Sequence, residues 1–343
     1  MNVLVTGGAG YIGSHTLVEL LNAGHTVVVI DNLQNSDSES LERVRSITGK
    51  PFRFVEADLR DAGSLSDVFE STQFDAVIHF AGLKSVAESV SKPREYYETN
   101  LDSTLVLVRA MEKYRVNKLI FSSSATVYGT PSQLPLTEAS RTGTGITNPY
   151  GQTKFMIEQI LRDIATANKQ FEVTLLRYFN PVGAHHSGRI GEDPHGVPNN
   201  LLPYVTQVAI GKRDVVQVYG GDYDTVDGTG VRDYIHVVDL ARGHLAALQA
   251  STPGTHVYNL CSGKGTSVLQ LIEAFEVASK KKIPYRIAPR RPGDVAACFA
   301  NADKARRELG WKTEKSIEQA CADSWRWQLN NPNGYKTSRK SNE

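Results

Sequence analysis

A glycine-rich turn near the start of the chain sets the tightest limit on how it can fold. Residues 2–6 read as a short apolar strand, and the sequence G-G-A-G-Y-I-G follows at 7–13. A helix-like stretch, 12–23, begins within that turn. Backbone without Cβ atoms lets a pyrophosphate approach closely, and the free N–H groups of a helix N-terminus bind it. A glycine cluster alone can be only a tight turn, but the strand–turn–helix order favours a dinucleotide site.

An acidic residue at the end of the second predicted strand indicates which dinucleotide is bound. Asp31 closes the apolar run 27–30 and stands 24 residues after Gly7. A carboxylate there can accept hydrogen bonds from both adenosine ribose hydroxyls and would repel a 2′-phosphate. The sequence therefore favours NAD over NADP. The side chains of Asn32, Asn35 and Ser36 follow in a loop, where they can form the turn, bind the cofactor or do both.

Strand-like and helix-like segments alternate through the first half of the chain. Apolar runs occupy 27–30, 52–56, 76–80 and 118–122, and long amphipathic stretches occupy 101–114 and 152–168. Continuously apolar strands separated by helices are typical of a parallel sheet covered on both faces. The pattern predicts an α/β fold with a doubly wound, Rossmann-type parallel sheet.

The composition of the chain changes after the sequence R-Y-F-N at 177–180. Residues 181–232 are rich in Gly, Pro, Asn and Asp, which predicts loops and short helices. We expect a dinucleotide-binding domain at 1–180 and a smaller C-terminal α/β substrate lobe at 181–330, with elements around 232–260 returning to the first domain. Further helices are expected at 240–249, 268–279 and 316–328, and a frayed polar tail at 331–343.

The overall charge excludes several functional classes. The 343 residues include 38 Lys and Arg against 37 Asp and Glu, a net charge of +1. A nucleic-acid binder usually has a basic excess, so none is expected as a partner. No apolar run reaches the roughly 18 residues of a membrane span, and a strand that begins at residue 2 leaves no room for a signal peptide.

The cysteines and histidines predict neither disulfides nor a metal site. Cys261, Cys298 and Cys321 stand far apart, and no C-x-x-C sequence occurs. A reducing cytoplasm is the expected location. His185, His186 and His195 form a loose group without the spacing of metal ligands, so we expect ordinary loop histidines.

A serine, a tyrosine and a lysine are the candidates for chemistry. Tyr150 and Lys154 stand at i and i+4 behind the helix-start signal Asn148-Pro149, so both project from one helix face. A neighbouring ammonium and a nicotinamide cation would lower the pKa of the Tyr150 phenol from about 10, which suits a general base. The serines at 122–124 end an apolar strand, where ligands of such sheets bind. Combined with a dinucleotide site, these groups indicate hydride transfer at a carbinol carbon.

These motifs resemble those of the extended short-chain dehydrogenase/reductase superfamily, namely T-G-G-x-G-x-x-G, then Ser, then Y-x-x-x-K. Within it the chain is similar to the UDP-glucose 4-epimerase (UDP-galactose 4-epimerase) family. The matching sequences are D-N-L at 31–33, H-F-A-G-L-K at 79–84, S-S-S-A-T-V-Y-G at 122–129, R-Y-F-N-P-V-G at 177–183, G-V-R-D-Y-I-H at 230–236 and A-P-R-R at 288–291. The resemblance extends from residue 3 to about 327.

The resemblance implies an isomerase that interconverts UDP-galactose and UDP-glucose through a 4-keto sugar. By the family's mechanism Tyr150 takes the proton of the 4-hydroxyl while C4 gives a hydride to bound NAD. The sugar then rotates and the hydride returns to its other face. Ser124 shares the proton network of the reacting oxygen, and Lys154 holds the nicotinamide ribose and tunes Tyr150. Net redox is zero, so NAD need not leave.

The resemblance also implies two sets of binding residues and no metal. The cofactor set is Gly7, Gly10, Tyr11, Ile12, Gly13, Asp31, Asn32, Leu33, Asn35, Ser36, Asp58, Leu59, Phe80, Ala81, Gly82, Lys84, Asn100, Ser124, Tyr150, Lys154 and Phe179. The UDP-hexose set is Lys84, Ser124, Tyr150, Asn180, Asn200, Leu201, Gln217, Val218, Tyr219, Arg232, Arg291, Asp294 and Cys298. Arg232 and Arg291 match the family's phosphate-binding positions, and guanidinium groups suit phosphate oxygens.

Two further expectations concern substrate range and assembly. Cys298 stands where some relatives place a bulky tyrosine against the sugar, and the smaller side chain would leave room for UDP-N-acetylhexosamines. The alternative is that Cys298 is only a small buried residue. The resemblance pairs the helices at 101–114 and 156–164 across a two-fold homodimer interface, although core packing also explains their apolar residues.

Three other functions stay open on the sequence. A nucleotide-sugar dehydratase or decarboxylase could use the same scaffold, but relatives that eliminate water carry Asp-Glu where this chain has Ala125 and Thr126. A simple NAD-dependent dehydrogenase would share the first hydride transfer and release NADH. A non-catalytic NAD-binding protein should have lost Tyr150 or Lys154, and both are present.

Overall fold

The computed structural model describes residues 1–338 except 195, 251–252 and 292. The strands are β1 (Asn2–Thr6), β2 (Thr26–Asp31), β3 (Arg53–Glu56), β4 (Ala76–His79), β5 (Lys118–Ser122), β6 (Glu172–Tyr178), β7 (Asn180–Val182), β8 (Val216–Tyr219), β9 (Val231–His236), β10 (Gly254–Leu260), β11 (Gly265–Ser267), β12 (Tyr285–Ala288) and β13 (Ala297–Cys298). The helices are α1 (Tyr11–Asn22), α2 (Glu39–Thr48), α3 (Ala62–Ser71), α4 (Val86–Ser91), α5 (Pro93–Lys113), α6 (Pro149–Ala167), α7 (Leu201–Ala209), α8 (Val237–Gln249), α9 (Val268–Ser279), α10 (Asp303–Leu309) and α11 (Ile317–Asn330). Single 3₁₀ turns cover Ala125–Tyr128 and Gly334–Ser338.

A seven-stranded parallel sheet forms the centre of the molecule. Its strand order is β10-β6-β5-β4-β1-β2-β3, and every neighbouring pair runs parallel. The order reverses direction between β1 and β4, and ligands of such sheets bind outside the carboxyl ends of the strands at that point. The predicted doubly wound α/β fold is confirmed.

Helices cover both faces of this sheet because successive strand residues point to opposite sides. In β1, Val3 and Val5 pack on the face of α1 and α8, while Leu4 packs on the face of α3, α5 and α6. All three side chains are fully buried. Burial on both faces explains why β1, β2, β4 and β5 read as mostly apolar runs, whereas the edge strand β3 has exposed Arg53 and Glu56.

A second apolar core lies among α7, α9 and α11. Val205 of α7, Phe275 of α9 and Cys321 of α11 are completely buried there, together with Val218 of β8. β12 pairs with β8, and β9 pairs with β7, β11 and β13 in a small mixed sheet. β10 returns to the large sheet beside β6, and α8 packs against α1.

Two segments differ from the sequence-based expectation. α5 begins at Pro93, eight residues before the predicted start, because the proline occupies the first helical turn and the fully buried Tyr96 anchors the polar stretch after it. The expected frayed tail is wrong for 331–338, because Tyr335 is buried against Trp327 of α11. The rest of the predicted tail, 339–343, lies outside the described residues.

Within the described part of the chain, no helix is both long and apolar enough to span a membrane.

Candidate active site

A cleft opens at the carboxyl ends of β1, β2 and β4, where the strand order reverses. The predicted cofactor residues all line this cleft except Leu33, Asn100, Ser124 and Phe179. The structure therefore brings the glycine turn, the loop after β2 and the start of α6 around one space. Seven lining residues stand outside the predicted cofactor set: Ile30, Gln34, Ala57, Leu83, Thr99, Ser103 and Tyr178.

The glycines of the first turn differ in what they do. Gly7 has a left-handed φ of 69°, and an added Cβ there would lie 2.6 Å from the backbone nitrogen of Ala81. A Cβ on Gly13 would lie 2.4 Å from the carbonyl oxygen of Gly7. These two glycines are required by the packing of the turn itself. Gly10 caps α1 without a side-chain hydrogen bond and lines the cleft, so N–H groups of the first turn remain available to an anion.

Asp31 ends β2 with its carboxylate facing the loop and the cleft. Its oxygens accept hydrogen bonds from Ala9 N (3.0 Å), Leu33 N (2.9 Å) and Ser36 Oγ (2.9 Å). Burial raises the pKa of Asp31, and these three donors oppose the rise. Leu33 has a φ of 57° and packs its side chain against the core, so its part in the loop is a backbone one.

Asp58 supplies a second carboxylate to the same end of the cleft. Arg60 donates to it from Nε (3.0 Å) and Nη2 (2.8 Å), and Asn32 donates from Nδ2 (3.2 Å). The hydrogen bonds from Arg60 are the main reason that the pKa of Asp58 falls to about 2. Asp58 is therefore a permanently charged acceptor at neutral pH.

The three serines after β5 point in three directions. Ser122 Oγ lies 2.9 Å from His244 Nε2, and Ser123 Oγ donates to Glu158 Oε1 at 2.6 Å in a fully buried contact. Ser124 caps the 3₁₀ turn by accepting from Thr126 N, and its hydroxyl lies near enough to Tyr150 to lower the pKa of that phenol. Of the three hydroxyls, that of Ser124 is the one in contact with the candidate base.

Lys154 is held rigidly one helical turn after Tyr150. Its Nζ donates to the Ser122 carbonyl oxygen at 2.8 Å and lies 4.7 Å from the centre of the Phe121 ring. Burial lowers the pKa of Lys154 to about 8. The nitrogen lies 6.0 Å from the centre of the Tyr150 ring.

The expected lowering of the Tyr150 pKa is not found in the chain itself. Burial raises the pKa of Tyr150, and the hydrogen bond with Ser124 is the effect that opposes it. The ammonium of Lys154 makes its hydrogen bond to the strand backbone instead. The tertiary fold, which buries the phenol, outweighs the helical spacing on which the expectation was based.

Two predicted cofactor residues lie behind the cleft. Asn100 accepts from Leu83 N (2.7 Å) and donates to Leu83 O (3.0 Å) and Thr153 Oγ1 (3.0 Å). It thereby fixes the backbone beside Lys84 against α6. Phe179 belongs to a small apolar cluster against which Cys298 also packs.

Apart from Lys84, Ser124 and Tyr150, the predicted substrate residues lie in the second half of the chain, in separate groups. Arg232 pairs with Asp294 at 2.6 Å and is the register partner of Cys298 across β9 and β13. The Arg291 guanidinium lies 3.9 Å from the centre of the Tyr219 ring.

The remaining predicted substrate residues lie on β7, β8 and the start of α7. Gln217 and Tyr219 are partly exposed on one face of β8, whereas the side chain of Val218 is buried in the core of α7, α9 and α11. Leu201 begins α7 and is partly buried against that core, behind its cap Asn200. Asn180 begins β7 and is partly exposed.

Tyr178 is the unpredicted residue with the clearest link to the chemistry. It lines the cleft and lies close to Tyr150 and Ser122. Burial is the main cause that raises the pKa of Tyr178, and the charge of Tyr150 adds to the rise. Its place at the carboxyl end of β6 was the signal that could have identified it, since ligands bind at that edge.

The described residues contain no cluster of three or more His, Cys, Asp or Glu side chains suited to a metal ion. The rings of His185 and His186 lie 4.2 Å apart, and His185 Nδ1 is 2.8 Å from Ser187 Oγ. His195 lies outside the described residues.

The fold and the cleft define a Rossmann-type dinucleotide-binding enzyme with a serine, a tyrosine and a lysine at its reactive end. The chain matches the NAD dependent epimerase/dehydratase family over residues 3–261 and belongs to that family. It is 60% identical to the UDP-glucose 4-epimerase of Bacillus subtilis (strain 168) over 340 residues, which cover 98% of this chain and 100% of the relative. It is 57% identical to the UDP-glucose 4-epimerase of Homo sapiens over 343 residues, which cover 98% of each protein.

A solved structure gives the same relationship. The crystal structure of UDP-glucose 4-epimerase from Bifidobacterium longum, in complex with NAD⁺ and UDP, is 58% identical to this chain. It superposes with a TM-score of 0.95 and covers 97% of this chain and 100% of the other.

Proposed function

We infer that this chain is an epimerase, an isomerase that interconverts UDP-galactose and UDP-glucose through a 4-keto sugar with NAD as its cofactor. The observation that carries the inference is that Tyr150 and Lys154 line the same cleft as Asp31 and the glycine turn, with Lys154 Nζ 6.0 Å from the centre of the Tyr150 ring. Relatives at 57% and 60% identity over nearly the whole chain support the same reaction.

The cleft fits NAD. Gly10 leaves the first turn of α1 accessible to a pyrophosphate, and Asp31 places a carboxylate where adenosine ribose hydroxyls can donate to it. A 2′-phosphate would meet the charges of Asp31 and Asp58. Bound NAD supplies the hydride acceptor and donor for C4 of the sugar and, when oxidised, a positive charge that favours the Tyr150 phenolate.

Side chains of the protein transfer the proton of the sugar hydroxyl and orient the sugar and the cofactor. Tyr150 takes the proton of the sugar 4-hydroxyl and returns it after the sugar has turned. Ser124, which lies beside Tyr150, donates to the same sugar oxygen and stabilises the charge that develops there. Lys154, fixed on the Ser122 carbonyl, binds the nicotinamide ribose and remains close to the phenol.

The residues after Ser124 favour epimerisation over elimination of water. Thr126 Oγ1 donates to Ser124 Oγ at 3.0 Å, and Ala125 packs against the apolar cluster of Phe179. Neither side chain can act as the acid or base that a dehydration needs. The keto sugar therefore takes the hydride back instead of losing a hydroxyl group.

We assign the diphosphate and nucleotide contacts to the second half of the chain. Arg232 and Arg291 provide the cations, Asp294 holds Arg232, and Tyr219 supports Arg291. Residues 1–180 serve as the NAD-binding domain and 181–330 as the UDP-sugar-binding lobe, with β10 and α8 packed on the former. Polar and charged contacts to the nucleotide leave the hexose free to turn over.

UDP-N-acetylhexosamines are a second substrate class. Cys298 is partly buried beside the Phe179 cluster, and burial raises the pKa of its thiol to about 11, so it is a small neutral group. We expect the wild type and C298S to convert UDP-N-acetylgalactosamine, and C298Y to lose that activity while it still converts UDP-galactose. A wild type that converts only UDP-galactose would contradict this assignment.

We propose a homodimer formed through α5 and α6. Leu105 of α5 is 41% exposed, Leu101 is partly exposed one turn before it, and Met156 and Ile160 are partly exposed on α6. Sedimentation should give the mass of a dimer for the wild type and of a monomer for L105E. A wild-type monomer would contradict the proposal. The three unpaired cysteines support a reducing, cytoplasmic location.

The direct test is conversion of UDP-galactose by the purified protein without added NAD. Proton NMR of the anomeric signals should show UDP-glucose accumulating to equilibrium, because NAD stays bound. Y150F is the matched variant: it keeps the ring and should lose at least about 10²-fold in kcat. No conversion by the wild type, even with NAD added, would reject the epimerase function and favour a dehydrogenase or a non-catalytic NAD-binding protein.

A further inference from the structure

Glu192 is a buried carboxylate between the two halves of the proposed site. It lies in the segment that joins β7 to α7, and its side chain is 9% exposed. Its Oε1 accepts a hydrogen bond from Asn200 Nδ2 at 2.6 Å and lies 3.7 Å from Lys84 Nζ. Asn200 caps α7 in the substrate lobe, whereas Lys84 lines the cofactor cleft. One carboxylate oxygen thus contacts both sides.

The backbone around Glu192 is fixed by the C-terminal part of the chain. Trp327 Nε1 donates to the Glu192 carbonyl at 3.2 Å, and the Gly191 N–H donates to the Tyr335 hydroxyl at 3.2 Å. A Cβ on Gly191 would lie 2.4 Å from the indole of Trp327. The Tyr335 N–H also donates to Asp193 Oδ2 at 2.8 Å. This aromatic support leaves the Glu192 side chain as the group that reaches Lys84 and Asn200.

We propose that Glu192 is a positioning residue whose carboxylate holds Asn200 and Lys84 in their binding positions and so couples the nucleotide-sugar site to the cofactor site. The inference rests on the proposed function, because that function gives the two partners their ligands. Glu192 itself contacts neither the reacting carbon nor the proton that moves.

The two contacts of the Glu192 carboxylate, with Lys84 and with Asn200, differ in strength. Lys84 is 61% exposed and 3.7 Å away, so water screens most of that attraction. The hydrogen bond from Asn200 is short, charge-assisted and shielded, which is the stronger kind. Removing the carboxylate should therefore weaken binding of the uridine nucleotide mainly through Asn200, and the change should appear in KM more than in kcat.

The test compares E192Q and E192A in the NAD-containing enzyme. Glutamine keeps a carbonyl oxygen for Asn200 but loses the charge, so we expect KM for UDP-galactose and Kd for UDP to rise about threefold. Alanine loses both contacts, so we expect a rise of about tenfold, with kcat within about threefold of the wild type. The matched controls are E273Q and E273A, at an exposed carboxylate on α9, which should leave both constants unchanged.

A pH series provides a readout that a merely structural role would not change. Burial raises the pKa of Glu192, and the ionisable groups that face it are Lys84 and Tyr11. As pH falls through that raised value the carboxylate becomes neutral, so the wild-type KM should rise. The KM of E192Q should vary less with pH, because glutamine does not titrate.

The possible results are distinct. A wild-type KM and Kd in E192A would overturn the proposal, and so would equal effects in E192A and E273A. If E192A does not fold, E192Q and its pH series decide the question. If the wild type binds UDP but converts no UDP-galactose, the proposed function fails, and weaker UDP binding by E192A would still support the role of Glu192.

Discussion

Replacing Ser123 and Ser124 separately with alanine should separate stability from catalysis at the end of β5. Ser123 Oγ donates to the Glu158 carboxylate at 2.6 Å, and both side chains are completely buried. A hydrogen bond to a charged group contributes about 1.5–3 kcal/mol. Arg177 also binds Glu158, with Nε at 2.9 Å, so the carboxylate is not left unpaired in S123A. We expect S123A to lose about 1.5–3 kcal/mol of unfolding free energy and to keep kcat within about threefold.

S124A should show the opposite result. The wild-type Ser124 hydroxyl lies near Tyr150 and accepts a hydrogen bond from Thr126 N at 3.2 Å. Loss of a donor to the reacting oxygen lowers kcat by about 10²–10³-fold, whereas loss of the cap on one short turn costs about 1 kcal/mol.

The assay combines urea denaturation with initial rates of UDP-galactose conversion for both variants. S124T is the matched control because it keeps a hydroxyl and should recover part of kcat. If S123A loses kcat as severely as S124A, or if S124A keeps full activity, the assignment of the three hydroxyls is wrong.

Three further changes test other parts of the structure. In K154M, kcat should fall at least about 10²-fold. Burial lowers the pKa of Lys154 from 10.5 to about 8 in the folded, NAD-free protein, so between pH 8 and 10.5 the unfolded chain binds one more proton than the folded chain. The unfolding free energy of the wild type should therefore rise relative to that of K154M from pH 8 to 10.5. Urea titrations that give both proteins the same pH dependence would contradict the burial of Lys154. D31N should bind NAD about tenfold more weakly, and its preference for NAD over NADP should be smaller than that of the wild type. Fluorescence titration of both proteins with NADH and NADPH measures the two affinities. An unchanged ratio of affinities would show that Asp31 does not select the cofactor. Y335A should lose about 3–5 kcal/mol of unfolding free energy. The control Y285A, at a side chain that is 48% exposed, should change the unfolding free energy by less than about 0.5 kcal/mol. A Tm of Y335A equal to that of the wild type would show that Tyr335 does not anchor the C-terminal turn.

The central sheet could be predicted because parallel strands are buried on both faces. The first five strands follow from short apolar runs, and two of the helices are marked at their start, α1 by the glycine turn and α6 by Asn148-Pro149. The first two turns of α5 were missed because residues 93–100 are mostly polar and only Tyr96 is fully buried in the core there. Its anchoring contact comes from distant residues, which local periodicity does not report.

The site was predictable where a motif fixes both the residue and its place in the fold. The glycine turn, Asp31, Tyr150 and Lys154 all meet at one cleft. The direction of a side chain was not predictable. Ser123 and Ser124 are adjacent residues of the same type, and only the structure shows that the hydroxyl of Ser123 is bound to Glu158 on α6. The raised pKa of Tyr150 likewise depends on burial, which the tertiary fold determines.

No local feature of the sequence indicated a role for Glu192. It stands in an irregular segment, and its partners lie 108 positions before it and 8 after it, at Lys84 and Asn200. The same is true of its aromatic support, because Trp327 reads as an ordinary helix residue and Tyr335 stands in a polar tail. Long-range contacts of this kind become visible only when the fold is known.

Epimerisation by this mechanism requires C4 of the sugar to give a hydride to bound NAD and to receive the same hydride back on one enzyme molecule. UDP-galactose carrying deuterium at C4 should therefore yield UDP-glucose that keeps the deuterium at C4, in ordinary water and without added NAD. NMR and mass spectrometry of the product measure that retention directly. Loss of the deuterium to solvent, or conversion only when fresh NAD is supplied, would contradict the claim.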